Sequence, residues 1–370
     1  MPTPPSLPLW KRLLFVGIGL VGIPLAIVAL LEGASSLVLF QRDLSDPPVQ
    51  QLSERRHTTY DTLLGWVAVP EFYDPDLYGP GVSLRTNAQG FRADHAIAPH
   101  VPSGRTRAIC SGDSYTLGWG VDNDHTWCHL LEQRIPGLET VNLGQGGYGV
   151  DQAYLWYRRD GFALDHDLQI FAVIAEDFER MRYPDFRGFG KPVLELEGDR
   201  LRVGNVPVRA WSYHWPRLAE YLYAVRPAFA HLRMSMLVTR LGHRLDRSDD
   251  RPDELNPEHW RVVERLLQDL ASLNRAKHSR LVVVFLPMRL DFDGHKSDRW
   301  RKALAAAAAR DGYRFVDLVE VFRRIPRDSL DALFLRENDY YSHYGNGGHT
   351  WAADLIAQRL HESPKVAAAR

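Results

Sequence analysis

The amino-acid sequence predicts an α/β protein: a three-layer α/β/α sandwich around a mainly parallel sheet, preceded by one transmembrane helix. Short apolar strands alternate with longer helices from residue 107 to residue 174, and the alternation returns from residue 256 to residue 360. Strands that alternate with helices form parallel sheets covered by helices on both faces. An uncharged apolar run near the N-terminus predicts the transmembrane helix.

The first alternating stretch contains three strands and two helices. Its strands are short apolar runs, whereas its helices carry apolar residues at helical spacing. We expect the strands at 107–110, 139–143 and 168–174, and the helices at 124–134 and 149–159.

The second alternating stretch supplies two further strands and the last helices. We expect helices at 256–274, 297–310 and 348–360, and strands at 280–287 and 313–318. Both stretches together predict one α/β domain that spans residues 106–363.

Residues 179–254 separate the two stretches and differ from them in character. Pro and Gly residues punctuate the start, and a hairpin is predicted from strands at 193–197 and 200–203 around Gly198-Asp199. An aromatic run follows, with Trp211, Tyr213, Trp215, Tyr221 and Tyr223. Such an insertion is a candidate cap over a substrate site, and the alternative is that its aromatic side chains only pack a core.

The N-terminal segment is predicted to cross a membrane once. Residues 13–31 are 19 residues without a charge, and at about 1.5 Å per residue they nearly span a hydrocarbon layer of about 30 Å. Lys11 and Arg12 precede this run, so the positive-inside rule places residues 1–12 in the cytoplasm. We therefore expect a single-pass protein of the bacterial inner membrane, with its C-terminal domain facing the periplasm or the cell exterior.

Two alternatives explain the same apolar run: a cleaved signal peptide and a buried core helix. The run is longer than the apolar region of about 7–15 residues in a usual signal peptide, and it is apolar on all sides. Both observations favour a retained anchor. Beyond it, we expect a tether at 32–59 and an irregular leader, packed on the domain, at 60–105.

Charge and cysteine content exclude several classes of protein. The chain has 45 basic and 46 acidic side chains, so it has no excess of positive charge that would attract nucleic acid. Its 2 cysteines, Cys110 and Cys128, exclude a disulfide-rich scaffold and a cysteine-rich zinc site. A bridge between them remains open, although two buried free thiols are the more common case. We expect no metal and no cofactor. The glycine-rich stretch 144–149 does not indicate a nucleotide site, because it lacks the ending of a phosphate-binding loop.

Ser114 is the candidate nucleophile. It follows the strand that ends at Cys110 and precedes a helix, so it is expected at the carboxyl edge of a parallel sheet, where ligands bind. A serine hydroxyl needs a base within hydrogen-bonding distance and an acid that orients the base. His343, just before the last helix, is the candidate base, and Asp339 is the candidate acid. His349 is an alternative base.

Three sequence blocks resemble those of the SGNH (GDSL-type) hydrolase family, and they occur in the family's order. The blocks are Gly112-Asp113-Ser114, Asn142-Leu143-Gly144-Gln145-Gly146-Gly147, and His343 followed five residues later by Gly348. The resemblance covers about residues 105–360 apart from the insertion. It implies a flavodoxin-like fold, Ser114, His343 and Asp339 as the catalytic residues, and an oxyanion hole made by the backbone amides of Ser114 and Gly147.

The chain departs from the family's pattern at two positions. After the third strand the family usually has Asn-Asp, and the Asn side chain completes the oxyanion hole, whereas this chain has Glu176-Asp177. A carboxylate at position 176 would repel a developing oxyanion rather than donate to it. The family's acid usually lies three residues before its histidine, whereas Asp339 lies four residues before His343.

The resemblance implies a membrane-anchored serine esterase that acts on acyl esters. Members of the family add or remove acyl groups on envelope polysaccharides, so an acetylated carbohydrate is the expected substrate, with a lipid ester or a lipoprotein next. One alternative is an O-acyltransferase, in which a sugar hydroxyl takes the place of water. Another is an inactive member of the family that binds glycan or serves in assembly.

Overall fold

The computed structural model of the protein describes residues 8–45, 56–214, 255–337 and 340–362. Its N-terminal part is helical: α1 spans Leu9–Gly17, a π-helical turn spans Ile18–Gly22, and α2 spans Ile23–Ser45. Within it, Leu9–Val38 is a 30-residue span with a mean hydropathy of 2.7 in its most apolar window. This helix is therefore long and apolar enough to cross a membrane. None of that window is buried, which argues against a core helix.

Part of the expected tether at 32–59 is helical. Residues 32–45 continue α2. Residues 46–55 lie outside the described residues. The first described part of the next segment begins at Arg56, and its first strand begins at Thr58.

Residues 56–105 form a leader with two short hairpins. Its strands are β1 (Thr58–Asp61), β2 (Gly65–Ala68), β3 (Tyr73–Asp74) and β4 (Leu84–Arg85), paired antiparallel as β1–β2 and β3–β4. In the first hairpin, the Asp61 side chain accepts hydrogen bonds from the amides of Leu63 and Leu64 at 2.9 and 2.7 Å and so closes the turn. The expected irregular leader therefore contains some regular structure, whereas residues 86–105 form no strand or helix.

The first half of the α/β domain alternates as predicted. Its elements are β5 (Thr106–Gly112), α3 (Ser114–Leu117), α4 (Trp127–Arg134), β6 (Leu138–Gly144), α5 (Val150–Trp156), β7 (Leu168–Val173) and α6 (Ala175–Arg180). A 3₁₀ turn at Asn123–His125 precedes α4, and a π-helical turn at Tyr157–Gly161 extends α5. The predicted strands and helices of this half are thus present, with ends shifted by a few residues.

The described part of the insertion consists of two hairpins and a short helix. They are β8 (Asp185–Phe186) with β9 (Phe189–Gly190), β10 (Val193–Glu197) with β11 (Arg200–Gly204), and α7 (Ala210–His214). The second hairpin is the predicted one, and Gly198 in its turn has a φ of 62°. Residues 215–254, which include Trp215, Tyr221 and Tyr223, lie outside the described residues.

This part of the insertion is anchored in the domain. Lys191 and Asp151 on α5 form an ion pair, and both side chains are fully buried. Tyr213 on α7 donates a hydrogen bond to the carbonyl oxygen of Thr58 in the leader at 2.7 Å. The aromatic side chain at 213 therefore packs on the leader, as expected if the aromatic run serves a core.

The second half of the domain completes the alternation and adds one hairpin. Its elements are α8 (Pro257–Ala276), β12 (Arg280–Phe285), α9 (Asp298–Asp311), β13 (Arg314–Asp317), α10 (Val319–Phe322), α11 (Arg327–Leu330), β14 (Phe334–Glu337), β15 (Tyr340–Tyr344) and α12 (Asn346–His361). Short 3₁₀ turns occupy Arg289–Asp291 and Asp331–Leu333. The β14–β15 hairpin is not among the predicted elements, and it carries His343.

The central sheet has five parallel strands in the order β13-β12-β7-β5-β6. Numbered along the chain, this is the order 2-1-3-4-5 of flavodoxin-like folds. The predicted α/β fold with a mainly parallel sheet is thereby confirmed. The strand order reverses between β5 and β7, and at such a switch point the loops diverge and leave a crevice at the carboxyl ends of the strands.

Successive side chains of the sheet face two separate cores. On β12, Val283 and Phe285 pack with helices α5, α8 and α9, whereas Val282 packs in the opposite core with α4 and α12. Helices therefore cover both faces of the sheet, as the three-layer prediction requires. Cys110 on β5 and Cys128 on α4 lie in the second core, fully buried and unbridged.

Candidate active site

Ser114 lies in the turn between β5 and α3, at the carboxyl edge of the sheet. Asp113 is the N-cap of α3, and its Oδ1 accepts a hydrogen bond from the amide of Tyr115 at 2.9 Å. The helix makes a single turn and ends at Gly118, which has a φ of 83°. Ser114 is only 4% exposed. The turn therefore holds the hydroxyl in a defined place beside the crevice.

Two glycines allow the strands and α3 to approach this closely. A Cβ added to Gly144, at the end of β6, would overlap the amide nitrogen of Leu117 in α3. A Cβ on Gly112 would lie 2.6 Å from the carbonyl oxygen of Ala172 on β7. Both contacts are with backbone atoms, so only glycine fits without moving the chain. The glycine-rich block after β6 thus packs directly on the nucleophile turn.

His343 on β15 reaches Ser114 from the far end of the chain. Its Nε2 lies 2.9 Å from the Oγ of Ser114, within hydrogen-bonding distance. Tyr115 donates from its hydroxyl to the carbonyl oxygen of Ser342 at 3.0 Å, and the ring of Trp119 lies 4.8 Å from the His343 ring, measured between centroids. These contacts hold the imidazole against α3.

The other nitrogen of His343 is buried. Its Nδ1 has no hydrogen-bond partner among the residues that the structure describes. Asp339, the candidate acid, lies outside the described residues. Burial, with Arg180 and Arg187 nearby, lowers the pKa of His343 to about 3. The imidazole is therefore neutral around pH 7, which is the state that accepts a proton from serine.

Gly147 is the residue whose amide the resemblance implies as the second donor of the oxyanion hole. Its φ of 74° is left-handed, and a Cβ there would lie 2.5 Å from the Phe186 ring of β8. Within the described chain, neither the amide of Ser114 nor that of Gly147 donates a hydrogen bond to another group. Both amides are thus available for an anionic oxygen, and Phe186 covers the glycine.

Glu176 and Asp177, at the third-block position, lie at the start of α6 with different surroundings. The Glu176 side chain is 56% exposed, and its Oε2 accepts from Arg180 at 2.9 Å. Asp177 is buried, its Oδ2 accepts from the amide of Ile174 at 3.0 Å, and burial raises its pKa well above the usual range. Asp177 therefore caps α6, and the charge of Glu176 is paired.

Sequence reasoning missed Arg180, the side chain that joins these acidic groups. It binds Glu176 and Asp177 on its own helix and also Asp113 beside the nucleophile. The spacings from 176 and 177 to 180 are those of i,i+4 and i,i+3 pairs on a helix, so they could have signalled the first two contacts. Only the fold brings Asp113 to the same guanidinium.

His349, the alternative base, does not lie at Ser114. It is 1% exposed on α12, and its Nδ1 accepts a hydrogen bond from the amide of Trp127 at 3.2 Å. His349 therefore pairs the backbone N–H of Trp127 in the first turn of α4, a donor that has no partner within the helix. Burial lowers the pKa of His349 to about 3.

We expect this buried histidine to make the protein less stable in acid. Its pKa is near 6.5 in the unfolded chain and about 3 in the folded one, so between these values only the unfolded chain binds the proton. Stability then falls as the pH drops from about 6.5 to 3, by up to about 1.4 kcal/mol per pH unit. His349→Asn keeps an acceptor near the Nδ1 position and removes the titration, so stability should depend less steeply on pH.

Urea unfolding of the full chain at a series of pH values measures this slope. His361→Asn, at the exposed end of α12, is the matched control and should leave the slope unchanged. An unchanged slope for His349→Asn would contradict the expectation.

One group of residues in the described chain lies close enough to hold a metal ion: Asp122, Asp124 and His125. Asp122 Oδ1 already accepts from the amide and the hydroxyl of Ser83 at 2.7 and 2.8 Å. His125 Nδ1 lies 2.7 Å from Asp124 Oδ1, on the surface. These contacts account for the cluster as a surface turn between α3 and α4, and the Ser114 chemistry makes no use of it.

Comparisons with known proteins give no match to a protein-family model and none to a curated protein. Among solved structures, a member of the lipolytic protein G-D-S-L family from Veillonella parvula is similar at 14% identity, over 70% of this chain and 98% of its own, with a TM-score of 0.36. The lipase/acylhydrolase from Enterococcus faecalis is similar at 10% identity, over 70% and 96%, with a TM-score of 0.39. An alpha/beta hydrolase enzyme from the metagenome of Lake Arreo, Spain, is similar at 18% identity, over 70% and 97%, with a TM-score of 0.40. Likeness at this level assigns no activity, which depends on the residues around Ser114.

Proposed function

We propose that this protein is a serine esterase of the SGNH (GDSL) type, which hydrolyses acyl esters through Ser114 and His343. The observation that carries the proposal is the distance of 2.9 Å between the Oγ of Ser114 and the Nε2 of a neutral, half-buried histidine. A serine hydroxyl with a base at this distance is the minimal nucleophile of acyl transfer. The free amides of Ser114 and Gly147 beside it supply the oxyanion hole.

The proposed reaction has two half-reactions. His343 Nε2 takes the proton of Ser114 as Oγ bonds to the ester carbonyl carbon, and the two amides bind the resulting oxyanion. The carbon–oxygen bond to the leaving alcohol then breaks, and the imidazolium returns its proton to that alcohol. Water attacks the acyl-serine by the same route and releases the acid. Asp339 is proposed to orient His343 through Nδ1 and to stabilise the imidazolium.

The surroundings of Ser114 support a small acyl group on a carbohydrate. Phe186 packs against Gly147, and this ring is proposed to limit the acyl group to a small one such as acetyl. Trp119 lies beside His343, and the Tyr78 ring lies 5.3 Å from the Trp119 ring, measured between centroids; a sugar ring is proposed to pack on these aromatic side chains. An acetylated envelope polysaccharide is therefore the proposed substrate.

Two features favour an active enzyme over an inactive binding protein. Glu176 occupies the position of the expected Asn. However, the Glu176 side chain is largely exposed, and Arg180 pairs its charge. The serine and the histidine are already within hydrogen-bonding distance without substrate. A site that had lost its chemistry would have no need of this alignment.

Reaction of the full chain with a fluorophosphonate tests the proposal. This reagent phosphonylates serines that a base activates, and peptide mass spectrometry locates the adduct. We expect the adduct on Ser114 and hydrolysis of p-nitrophenyl acetate that the reagent abolishes. A full chain that neither forms the adduct nor hydrolyses the ester would refute the esterase proposal.

The N-terminal helix is proposed to anchor the esterase in the inner membrane, with the α/β domain in the periplasm. The apolar span Leu9–Val38 and the basic residues Lys11 and Arg12 near its start support this orientation. A phosphatase reporter that is active only outside the cytoplasm, fused after Arg370, should be active. A reporter active only inside the cytoplasm should be silent at the same position, and the reverse pattern would contradict the orientation.

A further inference from the structure

Arg180 lies where the loops after three neighbouring strands meet. Its Nη1 donates to Asp113 Oδ2 at 3.2 Å, to Asp177 Oδ1 at 2.9 Å, and to the carbonyl oxygen of Tyr148 at 3.1 Å. Asp113 follows β5, Tyr148 follows β6, and Asp177 follows β7, and these strands are adjacent in the sheet. One guanidinium group therefore ties together all three loops around Ser114.

The contact with Asp113 bears directly on the nucleophile. Asp113 Oδ2 is 3.4 Å from the Oγ of Ser114, which can donate to it instead of to His343. A carboxylate at this distance would hold the serine proton and would repel the oxyanion that forms nearby. The Arg180 guanidinium donates to the same Asp113 oxygen and compensates the negative charge of this carboxylate. The serine hydroxyl then has its shorter contact, 2.9 Å, with His343.

The contact with Tyr148 bears on the oxyanion loop. Tyr148 directly follows Gly147, so the guanidinium fixes the backbone on one side of the oxyanion amide. On the other side, Trp66 donates from Nε1 to the carbonyl oxygen of Gly146 at 3.0 Å. Two side-chain donors from different parts of the chain thus fix the backbone on both sides of Gly147.

Arg180 is also the cation for three carboxylates. Besides Asp113 and Asp177, its Nη2 pairs with Glu176 at 2.9 Å, and the Arg180 side chain is only 14% exposed. Asp113 and Asp177 are buried at 1% and 2% exposure, and burial raises the pKa of both carboxyl groups. Without the guanidinium, uncompensated negative charge would lie beside the nucleophile.

We propose that Arg180 is a positioning residue of the esterase site, which acts through Asp113 and the Gly147 loop. The inference rests on the proposed esterase activity. Arg180 touches neither the substrate nor the reacting atoms in this arrangement. Its loss should therefore lower kcat much more than it raises KM.

The test compares four variants of the full chain in detergent. Arg180→Met removes the charge. Arg180→Lys keeps the charge but loses the planar guanidinium, which binds several acceptors at once. Asp113→Asn in the Arg180→Met background removes the uncompensated carboxylate while keeping the N-cap acceptor. Arg182→Met is the matched control, since Arg182 is exposed two residues later and pairs with Glu179. Thermal melts identify any variant that fails to fold.

The measurements are p-nitrophenyl acetate kinetics and the rate of fluorophosphonate labelling, both from pH 2.5 to 9, a range that includes the acid limb set by the His343 pKa of about 3. For Arg180→Met we expect kcat to fall about 100-fold, the size of a lost oxyanion-hole donor. Adding Asp113→Asn should recover part of that loss, because the two side chains act as a pair. Arg180→Lys should lose less than Arg180→Met, and Arg182→Met should match the wild type.

The pH profile separates positioning from general damage to the fold. Among the described residues, the charged groups that shift the pKa of His343 are Arg180 at the end of α6 and Arg187 in the β8–β9 turn, and both lower it. Removing Arg180 should therefore move the acid limb of the profile toward higher pH, by about one unit. The control should leave the limb in place. A merely structural role would lower the rate without moving the limb.

Failure of this inference and failure of the esterase proposal give different results. A wild-type chain that shows neither labelling nor hydrolysis overturns the esterase proposal and the role of Arg180 with it. A wild-type chain that reacts, with a folded Arg180→Met variant of equal rate and unmoved acid limb, overturns the role of Arg180 alone. If Arg180→Met does not fold, a wild-type rate for Arg180→Lys also overturns it.

Discussion

Replacing Ser114 by alanine should abolish the hydrolysis of p-nitrophenyl acetate, with a loss of about 10⁴-fold or more in kcat. The variant removes the atom that bonds to the acyl carbon, and the nearby imidazole has nothing left to activate. His343→Ala should cost about as much, because an unassisted hydroxyl is a poor nucleophile near pH 7. The double variant should be hardly worse than either single one, since the two residues act as one unit.

Exposed residues of the same types provide the controls. Ser329→Ala at the surface of α11 and His125→Ala near α4 should keep the wild-type rate, and all four chains should melt alike. A folded Ser114→Ala variant that hydrolyses the ester at the wild-type rate would mean that another group is the nucleophile. Hydrolysis by His343→Ala at the wild-type rate would likewise exclude His343 as the base.

The meeting of Ser114 and His343 could be predicted from the sequence because both follow from strand order. Ser114 follows the first strand of the alternating pattern, and parallel strands bring their carboxyl ends to one edge. His343 precedes the last helix, whose apolar residues return it to the same sheet. The sequence separation of 229 between the two residues matters little, since alternation along the chain already specifies the layers.

The contacts around that pair could not be predicted in the same way. The β14–β15 hairpin is short and has no strong strand pattern, so the element that carries His343 was missed. The meeting of Arg180 with Asp113 depends on loop conformations at two strand ends. Asp339 lies outside the described residues, so its place in the site remains a proposal. Patterns of apolar residues specify layers, whereas polar loop contacts depend on distances that no spacing encodes.

The leader illustrates the same limit, because one of its arginines packs against the end of α3. Arg92 is 6% exposed and donates from Nη1 to the carbonyl oxygens of Leu117 and Gly118 at 2.7 and 2.6 Å. A cation is well placed at the C-terminal end of α3, where the carbonyl groups lack helical partners. The sequence marks residues 60–105 only as rich in turn formers. Nothing in the sequence indicates that Arg92 donates to the carbonyl groups at the end of α3, the short helix that begins at Ser114.

Replacing Arg92 by methionine should therefore destabilise the domain strongly. The guanidinium also donates to the carbonyl oxygen of Val121 and, from Nε, to Asn123 Oδ1 at 2.8 Å. Methionine fills part of the volume but leaves buried carbonyl groups without donors, and losing such a network costs about 3–5 kcal/mol. In thermal unfolding of the full chain, we expect the transition of the α/β domain to fall by about 10 °C.

Arg85→Met is the matched control in the same leader, because Arg85 is 45% exposed and its contact with Asp94 is long, at 3.6 Å. Exposed ion pairs contribute about 0–1 kcal/mol, so this variant should melt close to the wild type. Equal melting of the Arg92 and Arg85 variants would mean that α3 does not depend on the leader. If Arg92→Met melts lower and also loses esterase activity at temperatures where it is still folded, the leader supports the nucleophile turn as well as the fold. The charge of a residue far from the chemistry would then hold Ser114 in place through the end of its own short helix.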